Sequence, residues 1–290
     1  MTELPRITQE MINLYDHFTH VTNDRAAFMR QLTDLVGSSE SAQIIASMIA
    51  ASASAAGLVP ENDSRLKTQD VTIADQLTGY LAWPASASGK LPAVMVVHEN
   101  RGLVPHIKDV VRRLALEGFL VLGPDFLTPL GGTPEDEDLG RDMIGKLEAP
   151  KVTQQAVAAV RWLKGHEKSN GKVAAVGFCW GGGVVNRTAV AAGSDLAAAV
   201  PYYGTQAPAA DVPKIKAEML LHYAGSDERI NAGIDAYKAA LQAAGVKHAV
   251  HMYDGAQHAF NNDTSEARYN KTAADLAWSR TIGMLKRALA

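Results

Sequence analysis

Residues 172–183 read KVAAVGFCWGGG: an apolar run closes on the chain's only cysteine, Cys179, and three consecutive glycines follow one residue later. The run is too short for a helix and has no polar alternation, so it reads as a strand buried on both faces, with a helix starting at the glycines. The same unit repeats outward. Upstream come "AVMVV", a helix through "DVVRRLALEG", the strand "FLVLGPD" and a helix through "VTQQAVAAVRWLKGH". Downstream come "LAAAVPYYG", "EMLLHYAG", a helix through "GIDAYKAALQAAG", "VKHAVHMYDGA" and a last helix from about Ser265. Apolar strands alternating with amphipathic helices require right-handed crossovers, so the fold class is α/β, a mostly parallel open sheet with helices on both faces. In such sheets chemistry gathers at the carboxyl ends of the strands.

Ahead of this unit the pattern differs. Residues 1–65 carry helical spacing (Ile12, Leu14, Tyr15, Phe18) and end in the polar breaker "VPENDSR", which divides a helical N-terminal extension, 1–65, from an α/β domain, 66–290. The weakly apolar 42–60 reads as a helix lying on the body or on a second subunit, too rich in alanine and serine for a membrane span. "DVTIADQLTGYLAWPASAS" gives a hairpin or edge pair of strands. With 28 basic against 31 acidic residues the chain has no basic field for nucleic acid or a membrane surface, and its one charge run, "PEDEDLGRD", reads as a solvated loop and helix start. A single cysteine excludes an internal disulfide and fits a reducing, cytoplasmic setting, with export to the periplasm as the alternative. A monomer or homodimer acting on a small molecule is expected.

The predicted strand ends hold His98-Glu99-Asn100, Cys179, Tyr202-Tyr203, Asp227 and His258. Nucleophile, acid and base thus occur in the order Cys179, Asp227, His258, the chain order of the α/β-hydrolase triad. Gly177-Phe178-Cys179-Trp180-Gly181 matches the G-x-S-x-G elbow with sulfur for oxygen, where glycines let a strained strand-to-helix turn pass close to its neighbours. At a helix N-terminus the thiolate is favoured. The N–H of Trp180 and, from "VVHENRGL", that of Asn100 are the candidate oxyanion donors. His258 serves as base and then acid, with Asp227 fixing its tautomer.

These motifs carry a family resemblance. "HENRGL", "GFCWGG", "YYG", "AGSD" and "GAQHAF" resemble, in order, the motifs of the dienelactone hydrolase (carboxymethylenebutenolidase) family of the α/β-hydrolase superfamily, over roughly residues 68–290. The resemblance implies Cys179 as nucleophile with Asp227 and His258 as partners, no metal or organic cofactor, and a Glu99 that contacts the resting thiol until substrate frees it. The family's two carboxylate-gripping arginines have no counterpart in "GPDFLTPLGG" or "HAFNNDTS"; Arg101 is the candidate replacement, and Tyr203 and Phe126 are candidate pocket-lining residues. The implied activity is hydrolysis of lactones or small carboxylic esters through an acyl-thioester. Two other classes compete. A nucleotide-binding loop fits poorly, since "VGFCWGGG" lacks both G-x-G-x-x-G and G-K-[ST] spacing. An inactive hydrolase fold used for binding or scaffolding is the other.

Overall fold

The computed structural model describes residues 7–50, 58–74 and 77–290. Eight strands form one sheet: β1 Leu66–Thr72, β2 Thr78–Pro84, β3 Leu91–Val97, β4 Leu120–Pro124, β5 Ser169–Phe178, β6 Ala198–Tyr202, β7 Glu218–Ser226 and β8 His248–Gln257. Their spatial order is β1-β2-β4-β3-β5-β6-β7-β8. The edge pair β1–β2 is antiparallel, β2 runs antiparallel to β4, and every later pairing is parallel. The expected sheet and its edge hairpin are therefore present.

Strand period explains the two-sided core. In β3, Val94 and Val96 face one apolar layer, beneath α4 (Pro105–Leu116) and α10 (Lys271–Ala288). Ala93, Met95 and Val97 face the other, beneath α6 (Ala149–Gly165), α7 (Trp180–Ala191) and α9 (Ile234–Ala243). Two shorter helices, α5 (Glu137–Gly145) and α8 (Glu228–Asn231), lie among the loops beyond the strand ends.

One expected boundary moves. The last helix begins at Lys271, capped by Asn270, not near Ser265. Residues 261–270 are instead spent on turns whose side chains reach elsewhere: the Ser265 hydroxyl donates to the Ile49 carbonyl at 2.8 Å, and Arg268 pairs with Asp16 at 3.3 Å.

The extension is helical: α1 Gln9–His17, a π-helical turn Phe18–Thr22, α2 Arg25–Val36 and α3 Ser39–Ile49. Thr8, Asp24 and Ser38 cap the three α-helices with side-chain oxygens. Their apolar faces make a separate small core around Tyr15, Phe28, Leu32 and Ile45, with Phe18 and Phe28 stacked at 4.8 Å. The helix read over 42–60 is α3 as far as Ile49; the part at 51–57 lies outside the described residues. "PEDEDLGRD" does begin a helix, α5, but its charges bind the extension: Asp138 pairs with Arg25, Asp142 accepts from Asn23 at 2.7 Å, and Arg141 donates to Asn23 at 2.7 Å. Farther along, Asp109 and Arg112 of α4 hold the backbone N–H and C=O of Val59, each at 2.7 Å. Among the described residues no helix is long and apolar enough to cross a membrane.

Candidate active site

The order β4-β3-β5 marks where the chain reverses its direction of growth across the sheet, so the loops after β3 and β5 emerge side by side. Cys179 sits between β5 and α7 with φ 55° and ψ −117°, a conformation that costs on the order of 1–3 kcal/mol for a residue with a side chain. The neighbours hold it there. A Cβ on Gly177 would strike the Gly181 carbonyl, one on Gly181 the carbonyls of Val97 and His98, and one on Gly182 the Tyr202 carbonyl at 2.6 Å. The glycine frame thus lets α7 close directly onto β3 and β6.

Asp227 does two jobs at the end of β7. Its Oδ1 caps α8 by accepting from the Ile230 N–H at 3.3 Å, while Oδ2 accepts from His258 Nδ1 at 2.5 Å. His258 and Asp227 are both buried. Burial opposes charge on His258, yet the Asp227 carboxylate and, once ionised, the Cys179 sulfur raise its proton affinity well above the ordinary histidine range. Burial likewise pushes the Asp227 carboxyl up, but His258, Arg229 and the Ile230 N–H together hold it below its usual value. His258 Nε2 is buried and has no hydrogen-bond partner.

The sulfur's hydrogen-bond partner is one that sequence reading missed. His20, in the π-helical turn of the extension, places Nε2 at 3.1 Å from Cys179 Sγ. Its ring lies edge-on to that of His258, centroids 4.8 Å apart. Burial, with the charges of His258 and Arg229, holds His20 neutral well below the ordinary histidine range. No motif marks His20; it lies far outside the stretch that carries the hydrolase motifs, and helical spacing alone does not distinguish it from His17. Among the described residues, His20, Cys179 and His258 are also the one group whose donor atoms, within 4.8 Å of one another, could hold a metal ion.

The other expected residues are distributed as follows. Glu99 follows β3 with Oε2 accepting from Asn262 at 2.7 Å, while its Oε1 is buried without a partner. The Asn100 side chain donates to the Thr19 carbonyl at 3.4 Å, and Trp180 opens α7, its ring stacked on His98 at 5.2 Å. Tyr203, at φ 37°, lies 5.1 Å from the His258 ring with its hydroxyl buried and unpartnered. Burial, then the negative charges of Glu99 and Cys179, keep that hydroxyl protonated. Arg101 is buried, and its guanidinium is bound by Glu137 and the Tyr15 hydroxyl. Phe126 needs correction as a lining residue: it is fully buried behind Trp180 and His98, with its backbone N–H donating to His98 Nε2 at 3.3 Å.

A cavity of about 360 Å³ opens onto Cys179, walled by Trp180 and Tyr203 from the body and by Thr19, His20 and Val21 from the extension. Arg141 and Arg229 also line it. Arg229, two residues beyond Asp227, is a cationic wall residue that the sequence reading overlooked. A larger cavity, about 490 Å³ beside α4, contains neither Cys179 nor His258.

Comparison with known proteins shows the family. Residues 77–289 match the model of the dienelactone hydrolase family. A protein of Escherichia coli K12 named as a candidate carboxymethylenebutenolidase is 32% identical over 228 residues, 73% of this chain and 83% of that protein. Among solved structures, a candidate dienelactone hydrolase of Klebsiella pneumoniae superposes with a TM-score of 0.69 at 27% identity, covering 76% of this chain and 98% of that one. A dienelactone hydrolase-like promiscuous phosphotriesterase from metagenomic libraries, 24% identical, shares the fold with a TM-score of 0.70, over 78% of this chain and 100% of its own. The extension that carries His20 lies outside the family match.

Proposed function

The chain belongs to the dienelactone hydrolase family, and from that premise we propose that it hydrolyses lactones or small carboxylic esters with Cys179 as nucleophile, His258 as base and acid, and Asp227 as the residue that orients and charges His258. The observation that carries this reading is the strained Cys179 at the β5–α7 turn beside a buried His258–Asp227 pair 2.5 Å apart.

As the sulfur approaches the acyl carbon, its proton passes to His258 Nε2, and Asp227 stabilises the resulting imidazolium. The N–H groups of Asn100 and Trp180 receive the developing oxyanion. His258 then protonates the leaving alkoxide, leaving an acyl group on Cys179, and a water deprotonated by His258 releases the acid. A thiolate leaves as readily as it attacks, so activated or strained esters such as enol-lactones suit the site and amides do not. Arg141 and Arg229, not Arg101, line the cavity; Arg141 is already paired with Asp138, so a substrate carrying a carboxylate would meet Arg229. Glu99, expected to contact the resting thiol, is instead held through Oε2 by Asn262, while the sulfur meets His20; its buried Oε1 has no partner and is the group we assign to respond when substrate enters. The partner is a small ester or lactone, met by a monomer or homodimer, with the cytoplasm as the expected setting and the periplasm as the alternative.

Hydrolysis of p-nitrophenyl acetate by wild type and Cys179→Ala, with intact-mass analysis of acid-quenched samples, tests the reading. An acetyl adduct and activity that vanish together with the thiol are expected. Equal activity in the variant with no adduct in wild type refutes it.

A further inference from the structure

His20 belongs to no part of a Cys-His-Asp triad, yet it is the group in hydrogen-bond contact with the sulfur. Its tautomer follows from its neighbours. Nδ1 lies 2.9 Å from the Asp16 carbonyl, which can only accept, and 2.9 Å from Thr19 Oγ1. The Thr19 hydroxyl can give its single hydrogen to the Tyr15 carbonyl, 3.0 Å away, and then presents a lone pair to the ring. Nδ1 therefore carries the hydrogen, and Nε2 of the neutral ring is an acceptor. At 3.1 Å from Sγ it accepts the resting S–H, which rotates about the Cβ–Sγ bond toward His258 when acylation begins. His258 gives Nδ1–H to Asp227, and its Nε2 has no partner; in the acyl-enzyme, where no ionised sulfur adds to the pull of Asp227, that nitrogen is the acceptor that takes a proton.

Both acceptors border a chamber of about 20 Å³ that also touches Cys179, Glu99 and Asn100. That volume suffices for one water, which requires roughly 10–15 Å³ and at least two polar partners. A water donating both hydrogens to nitrogens at the usual distance of about 2.9 Å can span up to about 4.6 Å between them; the ligating atoms of His20, His258 and Cys179 are no more than 4.8 Å apart, so the three groups gather on that scale.

We propose that His20 is a catalytic residue of the second half-reaction: once the sulfur is acylated and its S–H is gone, the vacated Nε2 accepts one hydrogen of the hydrolytic water and aims its oxygen at the thioester while His258 removes the other. This rests on the acyl-thioester reading above. In the step, the water oxygen bonds to the acyl carbon and one proton moves to His258 Nε2. The C–S bond then breaks, the sulfur leaves with the electron pair, and His258 returns the proton to it. The second hydrogen stays on the new carboxylic acid and is lost to solvent, and the reformed S–H donates to His20 again. His20 itself neither gains nor loses a proton, which suits a ring held neutral by its surroundings. The extension thus supplies to the site a group that the family-matched region lacks.

The test is rapid mixing of wild type, His20→Ala and His20→Gln with p-nitrophenyl acetate, following the nitrophenol burst and the acid-quenched mass, with thermal melts to verify folding. In His20→Ala the burst rate is expected to stay within about twofold of wild type, while acyl release slows about tenfold, the loss of one aligned hydrogen bond. The acetyl adduct accumulates, and kcat and KM fall together with kcat/KM preserved. His20→Gln, with an oxygen acceptor in place of Nε2, recovers part of the release rate. Unchanged release, or burst and release falling alike, overturns the inference and leaves His20 a packing residue. A wild type without adduct, beside an active Cys179→Ala, overturns the acyl-thioester reading and this inference with it.

Discussion

Asp227→Asn isolates the charge behind the proposed base. An asparagine keeps an oxygen for the Ile230 N–H, so the cap of α8 survives while the carboxylate is lost. With Oδ2 at 2.5 Å from Nδ1, the charge centres of carboxylate and imidazolium are about 4 Å apart. At an effective dielectric constant of about 20 their attraction is about 4 kcal/mol, and its loss from a transition state that contains the imidazolium slows the reaction about a thousandfold. The imidazole also loses the partner that fixes its tautomer, which adds to the effect. The assay is kcat/KM for p-nitrophenyl acetate between pH 6 and 9.5. The variant should be most impaired near neutral pH, where attack depends on His258 taking the thiol proton, and less so at the alkaline end, where hydroxide can take over that role. Less than a tenfold loss at pH 7, in a protein melting near wild type, would mean that His258 works without Asp227 and that the pair is structural.

Glu99→Gln should lower turnover more than it weakens binding, because Glu99 lies beside the reacting groups with one oxygen unpartnered; kinetics equal to wild type would dismiss that role. Gly181→Ala should cost about 3 kcal/mol in urea denaturation and abolish ester hydrolysis, since its Cβ would sit 2.5 Å from the Val97 oxygen. Gly183→Ala is the control: its nearest neighbour atom would be 3.6 Å away, and stability should stay within about 0.5 kcal/mol of wild type. Leu32→Ala empties the fully buried centre of the extension's core and should cost that region about 2–5 kcal/mol, read as earlier proteolysis of the extension with the sheet domain intact.

Much of this protein is written locally. The apolar runs of β3 and β5 are buried on both faces whatever lies far away, so their period and length announce a parallel sheet. The strained elbow needs glycines within two residues of Cys179, and that spacing is visible in the bare sequence. The family motifs follow because each sits at a strand end and keeps its order along the chain. The end of β7 shows the limit of such reading: the sequence offers Asp227 as a triad acid, and only the folded chain reveals that its other oxygen caps α8.

Tertiary structure alone decided what surrounds the sulfur. His20 is 159 residues from Cys179 in sequence, and it arrives because Arg268 holds Asp16, Ser265 holds Ile49, and Arg141 and Asp142 hold Asn23. These are single polar contacts between distant segments, with no period to betray them. Arg101 illustrates the same point in reverse: beside Glu99 in sequence it looks available for an anion, but the docked extension brings Tyr15 to it and α5 brings Glu137. Sequence by itself determined the sheet, the elbow and the order of the chemical groups, because those depend on neighbours in the chain. Which acceptor the thiol meets, and which cation faces the cavity, depended on how the helical extension docks, a matter of surfaces that meet only after folding.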